Sequence, residues 1–243
     1  MLRTCFCKHN NINRYTCIIV MFDHIKLLIK DKGYEPSVIL DIGANKGDWT
    51  TSMKEIYPES TYYLFEANDY IELNQFNDNN NIYLYTNVLL SDKIEEFDWY
   101  SIKGTGDSMY KEKTAYYTNV APIKRKTITL NTIIQNDHIM TNDNNIFIKI
   151  DCQGAEIPIL KGATNILHKT DFILLEMPFF GEYNKGVPNF LEHIKYMDSI
   201  GFIPYDIVES HYIFNYNMQV DIIFINKKHQ FNEDVKIQTA QDM

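Results

Sequence analysis

The sequence predicts an α/β fold, a mostly parallel sheet with helices on both faces. Three observations predict it. Apolar runs such as "SVILDIG", "NIFIKID" and "DFILLEM" lack the in-out alternation of half-exposed strands, so both their faces should be buried. Helical patterns separate these runs, which forces parallel neighbours joined by crossovers. Finally, Asp41, Glu66, Asn87, Asp151 and Glu176 all fall at the carboxyl ends of such runs, where ligands of these sheets bind.

The elements follow in order. Residues 1–20 are polar and irregular and read as an N-terminal extension; the patterned sequence begins at Met21, which would serve as a natural start. "FDHIKLLIKDKG" places Phe22, Ile25, Leu28 and Ile29 on one helical face and stops at Gly33. "SVILDIG" is the first strand, and "NKGDWTTSMKEIYP" a helix with Trp49, Met53, Ile56 and Tyr57 inward, ended by Pro58. "TYYLFEAN" is the second strand and "YIELNQFN" a short helix. "NIYLYTNVLLSD" is the third strand, bent near Asn87. "EEFDWYSI" alternates at period two and reads as an added strand, "GTGDSMY" as a mobile loop, and "IKRKTITLNTIIQ" as a strand leading into a helix. "NIFIKID" is the fourth strand, followed by a helix that opens at Ala155 and tolerates Pro158 in its first turn. "DFILLEM" is the fifth. "VPNFLEHIKYMDSIG" is a helix with Phe190, Ile194 and Met197 inward, and "FIPYDIV" and "VDIIFIN" finish the sheet. The folded domain is expected over 21–228, with a polar tail over 229–243.

Composition narrows the function. The chain has 243 residues, 45% of them apolar, enough for one domain with a substantial core. A net charge of −9 argues against a protein that grips phosphate backbones, and "IKRK" reads as a solvated strand end, so no nucleic-acid partner is expected. Cys5 and Cys7 lack the C-x-x-C spacing of a zinc or redox pair, and a reduced, cytoplasmic setting is the expectation for the four cysteines. No run approaches the ~20 apolar residues of a membrane span. "TCIIVMF" is too short and no small-residue cleavage site follows it.

The segment "VILDIGANKGDW" runs from a strand through a glycine turn into a helix. Its spacing is G-x-N-x-G, not the G-x-G-x-x-G that receives a pyrophosphate. Gly43 permits close backbone approach, and the helix start after Gly47 offers N–H groups to a carboxylate. Asp41 would repel a phosphate and attract an ammonium. S-adenosylmethionine carries both a carboxylate and an ammonium. A branched side chain at Gly43 should therefore occupy the ligand's space and leave the fold intact. Glu66, in "FEAN" with Ala67, can accept both hydroxyls of an unmodified ribose. Asn87 and Val88 could meet an adenine edge; a bulge stabilised by Asn87 is the alternative.

"LDIGANKG", "LFEAN", "LLSD", "TLNTII", "IKIDCQGAE", "ILKGA", "ILLEMP" and "GF…DIIFIN" occur in an order that resembles the FkbM-type methyltransferases, over roughly residues 37 to 226. The resemblance implies a Rossmann-like class I methyltransferase fold with seven strands, the last antiparallel. It also implies S-adenosylmethionine as cofactor and, usually, O-methylation. By the same resemblance Asp41, Gly43, Ala44, Asn45 and Gly47 form the methionine-binding loop, Glu66 the ribose site, and Asp151 faces the reacting methyl. Cys152 and Gln153 depart from a pattern that often has an aliphatic residue and Glu there, so no carboxylate acts at 153.

An alcohol acceptor has to lose a proton, and a carboxylate in hydrogen-bond reach can take it. Asp151 is the first candidate and Glu156 the second, though its place in a helix's first turn fits dipole stabilisation equally well. Glu176, an acid at the end of the central fifth strand, is a further candidate. These three acids could hold Mg²⁺, which is not expected because no spacing compels it. Ser108, Phe179, Tyr183 and His211 are candidates for the acceptor side, with Phe180 beside them; His211 falls between the last two strands and also reads as a surface histidine. A sugar hydroxyl of a glycan or glycoconjugate is the expected acceptor. Two rival readings are an NAD-dependent oxidoreductase using Glu66 for ribose and a nucleoside-binding protein without catalysis.

Overall fold

The computed structural model describes residues 21–27, 29–139 and 145–232. The N-terminal extension, Leu28 and the tail beyond residue 232 lie outside the described residues. The main sheet has seven strands: β1 (Val38–Ile42), β2 (Thr61–Phe65), β3 (Ile82–Tyr85), β7 (Ile146–Ile150), β8 (Thr170–Pro178), β9 (Phe202–Ile213) and β10 (Tyr216–Asn226). Their spatial order is β3-β2-β1-β7-β8-β10-β9. Every pairing from β3 to β8 is parallel, and β10 runs antiparallel to both β8 and β9. A second sheet of three short strands, β4 (Leu89–Leu90), β6 (Ile123–Ile128) and β5 (Glu96–Trp99), stands beside it.

All five residues of β1 and all five of β7 are buried, as continuous apolar runs require when both faces are covered. Alternate residues enter opposite cores. Leu40, Ile148, Ile150 and Phe224 pack with α3 (Leu130–Asp137), α4 (Glu156–Lys161) and α6 (Phe190–Ser199). Ile39, Phe147, Phe172 and Ile223 pack on the other face with Met21, Ile25 and Ile29 of the first helical segment and Met53 of α2 (Asp48–Ile56). α6 carries a full capping box, in which Asn189 Oδ1 accepts from the Glu192 N–H while Glu192 accepts from the Asn189 N–H.

Four expectations change. The third run is two strands, because Asn87 takes a left-handed φ of 58° and ends β3 before β4 begins. The last two strands are longer than the motifs suggested and meet in a tight hairpin at Phe214 and Asn215, both left-handed, so His211 lies within β9 and not in a loop. The polar tail begins later than residue 229: Phe231 is buried and packs 6.1 Å from the Phe172 ring. The segment after Tyr100 is tightly tied, as described below.

Gly43 has φ +77°, and a Cβ there would lie 2.0 Å from the Asp151 carbonyl oxygen. The glycine is thus demanded by the contact between the ends of β1 and β7, and the expectation that a branched residue would leave the fold intact fails. Gly47 is similar: its Cβ would lie 2.3 Å from the Phe76 ring. Gly43→Ala should therefore destabilise the protein by about 2 kcal/mol or more, from strain and overpacking together. Gly186→Ala, equally left-handed but in open space, should cost about 1 kcal/mol by strain alone. Urea unfolding of the two variants gives the comparison, and equal losses would contradict the close contact at Gly43.

Candidate functional site

The sheet reverses direction of winding between β1 and β7, and a cleft of about 1080 Å³ opens over the carboxyl ends of the strands. Gly43, Ala44, Asn45, Glu66, Ala67 and Val88 line one part of it. Asp151, Glu176, Tyr183 and His211 line another. Asp41, Gly47, Asn87, Ser108, Glu156 and Phe179 are not on its wall.

Asp41 is fully buried. Its Oδ2 accepts from the Thr50 hydroxyl at 2.6 Å, and Lys149 Nζ lies 3.1 Å from its Oδ1. The ammonium that Asp41 attracts is the protein's own, so the expectation of a ligand ammonium at this carboxylate is not carried by the geometry. Lys149 also donates to the Gly43 carbonyl at 2.8 Å, which fixes the turn, and reaches within 3.8 Å of Asp151. Burial works against the Lys149 charge, but Asp41 and then Asp151 outweigh it, and its pKa is raised.

The Glu66 carboxylate bridges two loops. Oε2 accepts from the Asn45 N–H and Oε1 from the Asn68 N–H, both at 2.8 Å. Burial pushes its pKa up against the pull of those two N–H groups. Each oxygen keeps a further lone pair for a hydroxyl. The Asn87 carbonyl accepts from Arg125 at 3.0 Å, and the Ala67 carbonyl accepts from the same guanidinium, which also lies over the Trp99 ring. One residue of the "IKRK" run is thus a clamp on the loops after β2 and β3, while Lys124 pairs with Asp98 across the small sheet.

The loop read as mobile is organised around Asp107. Its carboxylate accepts from the Ile102 N–H at 2.9 Å, the Tyr117 hydroxyl at 2.7 Å and the Asn68 amide at 3.0 Å, and from the Ser101 hydroxyl. Asn68 follows Glu66, so this network ties the far wall of the cleft to the end of β2. Ser108 is fully buried below the wall: its hydroxyl donates to the Gln153 carbonyl at 2.9 Å and accepts from the Tyr110 N–H. An acceptor cannot reach it there.

At the other end of the cleft, the Gln153 amide donates to Asp151 Oδ1 at 3.1 Å and to Glu176. Gln219 donates to the same Glu176 oxygen at 3.1 Å. Burial would raise Asp151, but Lys149 and hydrogen bonds from Glu176 and Gln153 hold its pKa below the ordinary carboxylate value. Burial, then Asp151, then Asp221 push Glu176 well up. The proton affinities of the two acids thus diverge, Asp151 shifted toward the anion and Glu176 toward holding a proton. The Asp151 side chain is 41% exposed, open to an incoming hydroxyl.

His211 Nε2 lies 3.2 Å from Asp221 and 3.8 Å from Glu176. Burial lowers the imidazolium, but Asp221 and then Glu209 raise it, and its pKa is pushed up to about 9. Glu176, His211 and Asp221 stand close enough to one another to hold a metal ion, whereas Glu156, part of the trio read from the sequence, does not join them. Glu156 is fully buried with its carboxylate on the Cys152 and Gly154 N–H groups. That position removes it as a base. Phe179 packs edge-on against Phe190, and Phe180 stacks on Tyr216. Lys149, Asp107, Asp221 and Gln219 went unread in the sequence; a lysine inside the apolar run "IFIKI" was the one local signal among them.

The family model of the methyltransferase FkbM domain matches residues 41–204. No curated protein matches the chain. Similar solved structures include methyltransferase FkbM from Methylobacillus flagellatus KT, at 16% identity and TM-score 0.47 over 78% of this chain and 43% of that one. This chain thus spans less than half the length of that structure. The precorrin-6y C5,15-methyltransferase of Geobacter metallireducens GS-15 aligns at 12% identity and TM-score 0.45, over 91% of this chain and 93% of that one. A putative hemolysin from Lactococcus lactis aligns at 12% and 0.49, over 91% and 90%. Among the described residues no helix is long and apolar enough to cross a membrane.

Two predictions follow from the charges. Lys149→Met strands Asp41 in the core, and loss of one partner of a buried pair typically costs about 3–5 kcal/mol. Denaturant unfolding of this variant measures the loss, and an unchanged midpoint would remove Lys149 from its role. The raised His211 pKa means the folded state binds its proton more tightly than the unfolded one. Its stabilising contribution is full below the ordinary histidine value of about 6.5 and is lost as pH rises through about 9. The wild-type melting temperature should fall between those values, and His211→Gln should flatten that segment of the profile.

Proposed function

Because the chain belongs to the methyltransferase FkbM domain family, we propose that it is an S-adenosylmethionine-dependent O-methyltransferase acting on a sugar hydroxyl of a glycan or glycoconjugate, with a methyltransferase domain that runs from residue 21 past residue 228. The observation that carries the reading is the part-exposed Asp151 carboxylate at the end of β7, beside Lys149 and next to the Gly43 turn at the end of β1.

The residues present fit the cofactor. α2 has no side-chain cap, so its first-turn N–H groups at the cleft are left for a carboxylate. Glu66 keeps its remaining lone pairs for the ribose hydroxyls, and Val88 and Leu90 offer an apolar seat for the adenine. When bound, S-adenosylmethionine supplies an electrophilic methyl group for direct displacement. The chain then has two tasks, alignment and proton removal. Tyr183 and His211 lie on the acceptor side, with Phe179 and Phe180 beyond its rim. Asp151 accepts the hydroxyl proton, while Gln153 and Glu176 beside it hold it in place. A polar acceptor end with several hydrogen-bonding groups suits a sugar better than a flat apolar ring. Cytoplasmic location belongs to the same proposal.

Calorimetry should find S-adenosylhomocysteine bound in the micromolar range or better, and NAD not bound. Glu66→Ala should weaken that binding by about 1–3 kcal/mol, the usual consequence of orphaned polar groups. Binding of NAD in its place would return the oxidoreductase reading. Asp151→Asn should lower kcat by about 10²–10⁴-fold with little change in cofactor affinity, the usual contribution of a general base. Full turnover by the variant would leave alignment alone as the catalytic device.

A further inference from the structure

Beneath the reacting end lies a pair of groups that the proposed chemistry does not use. Glu156 on α4 and His193 on α6 are both fully buried. Glu156 Oε1 accepts from the Cys152 and Gly154 N–H groups, each at 3.1 Å. It thereby holds a turn in which Gln153 and Gly154 are both left-handed, at φ 51° and 106°. That turn directs Asp151 and Gln153 toward Glu176. Its other oxygen, Oε2, has no hydrogen-bond partner among the described residues, and neither has His193 Nε2, 3.7 Å away.

His193 Nδ1 lies 3.0 Å from the Asn189 carbonyl, which can only accept, so Nδ1 carries a hydrogen. With Nε2 bare and Glu156 ionised, two lone pairs would face each other in a fully buried place, an arrangement that native interiors avoid. One hydrogen between the two groups, on Nε2 or on Oε2, removes the conflict and pairs them. The two elements also interlock sterically, because a Cβ on Gly154 would lie 2.1 Å from Val187, just before α6.

We infer that His193 is a positioning residue of the reacting end: from α6 it holds Glu156, and through Glu156 the Cys152–Gly154 turn that aims Asp151 and Gln153. The inference rests on the reading of Asp151 as the group that meets the acceptor. It gives the helix before β9 a part in the alignment of residues that follow β7, although no atom of that helix enters the reaction.

Amide hydrogen exchange read by NMR tests the link without an acceptor. His193→Phe should speed exchange at Cys152 and Gly154 by about tenfold or more while β1 and β7 keep their rates, because only the local opening is affected. His193→Gln, whose amide can still donate toward Glu156, should restore protection. Unchanged exchange at the two amides in His193→Phe, or no restoration by His193→Gln, would each overturn the inference. A parallel titration with S-adenosylhomocysteine separates the questions, since its failure would remove the reading of the cleft and leave the amide rates to judge His193.

Discussion

The site depends on one buried ammonium. Lys149 sits in the middle of the sheet, where desolvation opposes any charge, and three oxygens make its presence tolerable: Asp41 beside it, the Gly43 carbonyl above it and Asp151 beyond. Each of those contacts has a consequence. The first joins β1 to β7 by charge as well as by the hydrogen bonds of the ladder. The second sets the carbonyl of the turn, so the path of the chain after β1 is determined from the strand next to it. The third lowers the proton affinity of Asp151 against the desolvation of its surroundings. Packing, loop shape and proton affinity at this end are therefore linked through a single side chain.

The acids around Asp151 are best understood as a set. Asp151, Glu176 and Asp221 are too close for all to be charged in low dielectric, and the structure separates them by environment. Asp151 has the lysine, Asp221 has His211, and Glu176 between them is pushed furthest toward holding a proton. A glutamate at 153 would add a further negative charge to this group. Gln153 instead supplies an amide that donates to two of the acids at once.

The fold was legible because its strands are short, apolar and local. The helix patterns, the glycine turn and the carboxylates at strand ends are all features of a dozen residues or fewer, and they placed the cleft correctly. What the sequence hid was partnership over distance. Asp41 and Lys149 are far apart in the chain, as are Asn68 and Asp107, or Glu156 and His193, and nothing in either local pattern names the other. The same gap explains Gly43. A left-handed glycine before a helix was visible, but whether ligand or protein crowds it depends on where Asp151 comes to rest. The sequence presents Ser108 as an acceptor contact and Glu156 as a candidate base for the same reason, since the chain that covers them lies elsewhere in sequence.

The outer strands of the sheet bear on how the molecule behaves in a crowd of its own copies. An open sheet ends in unpaired backbone groups that can recruit another strand, and so can seed polymerisation. Here one margin, β3, is only four residues long. The other, β9, is twelve residues long, but its pairing with β10 is broken by three register shifts, and Pro204 removes one donor from it. A strand so kinked makes a poor template for a straight neighbour. The irregularities of β9 thus make that margin a poorer template for strand addition than a straight strand of the same length would be.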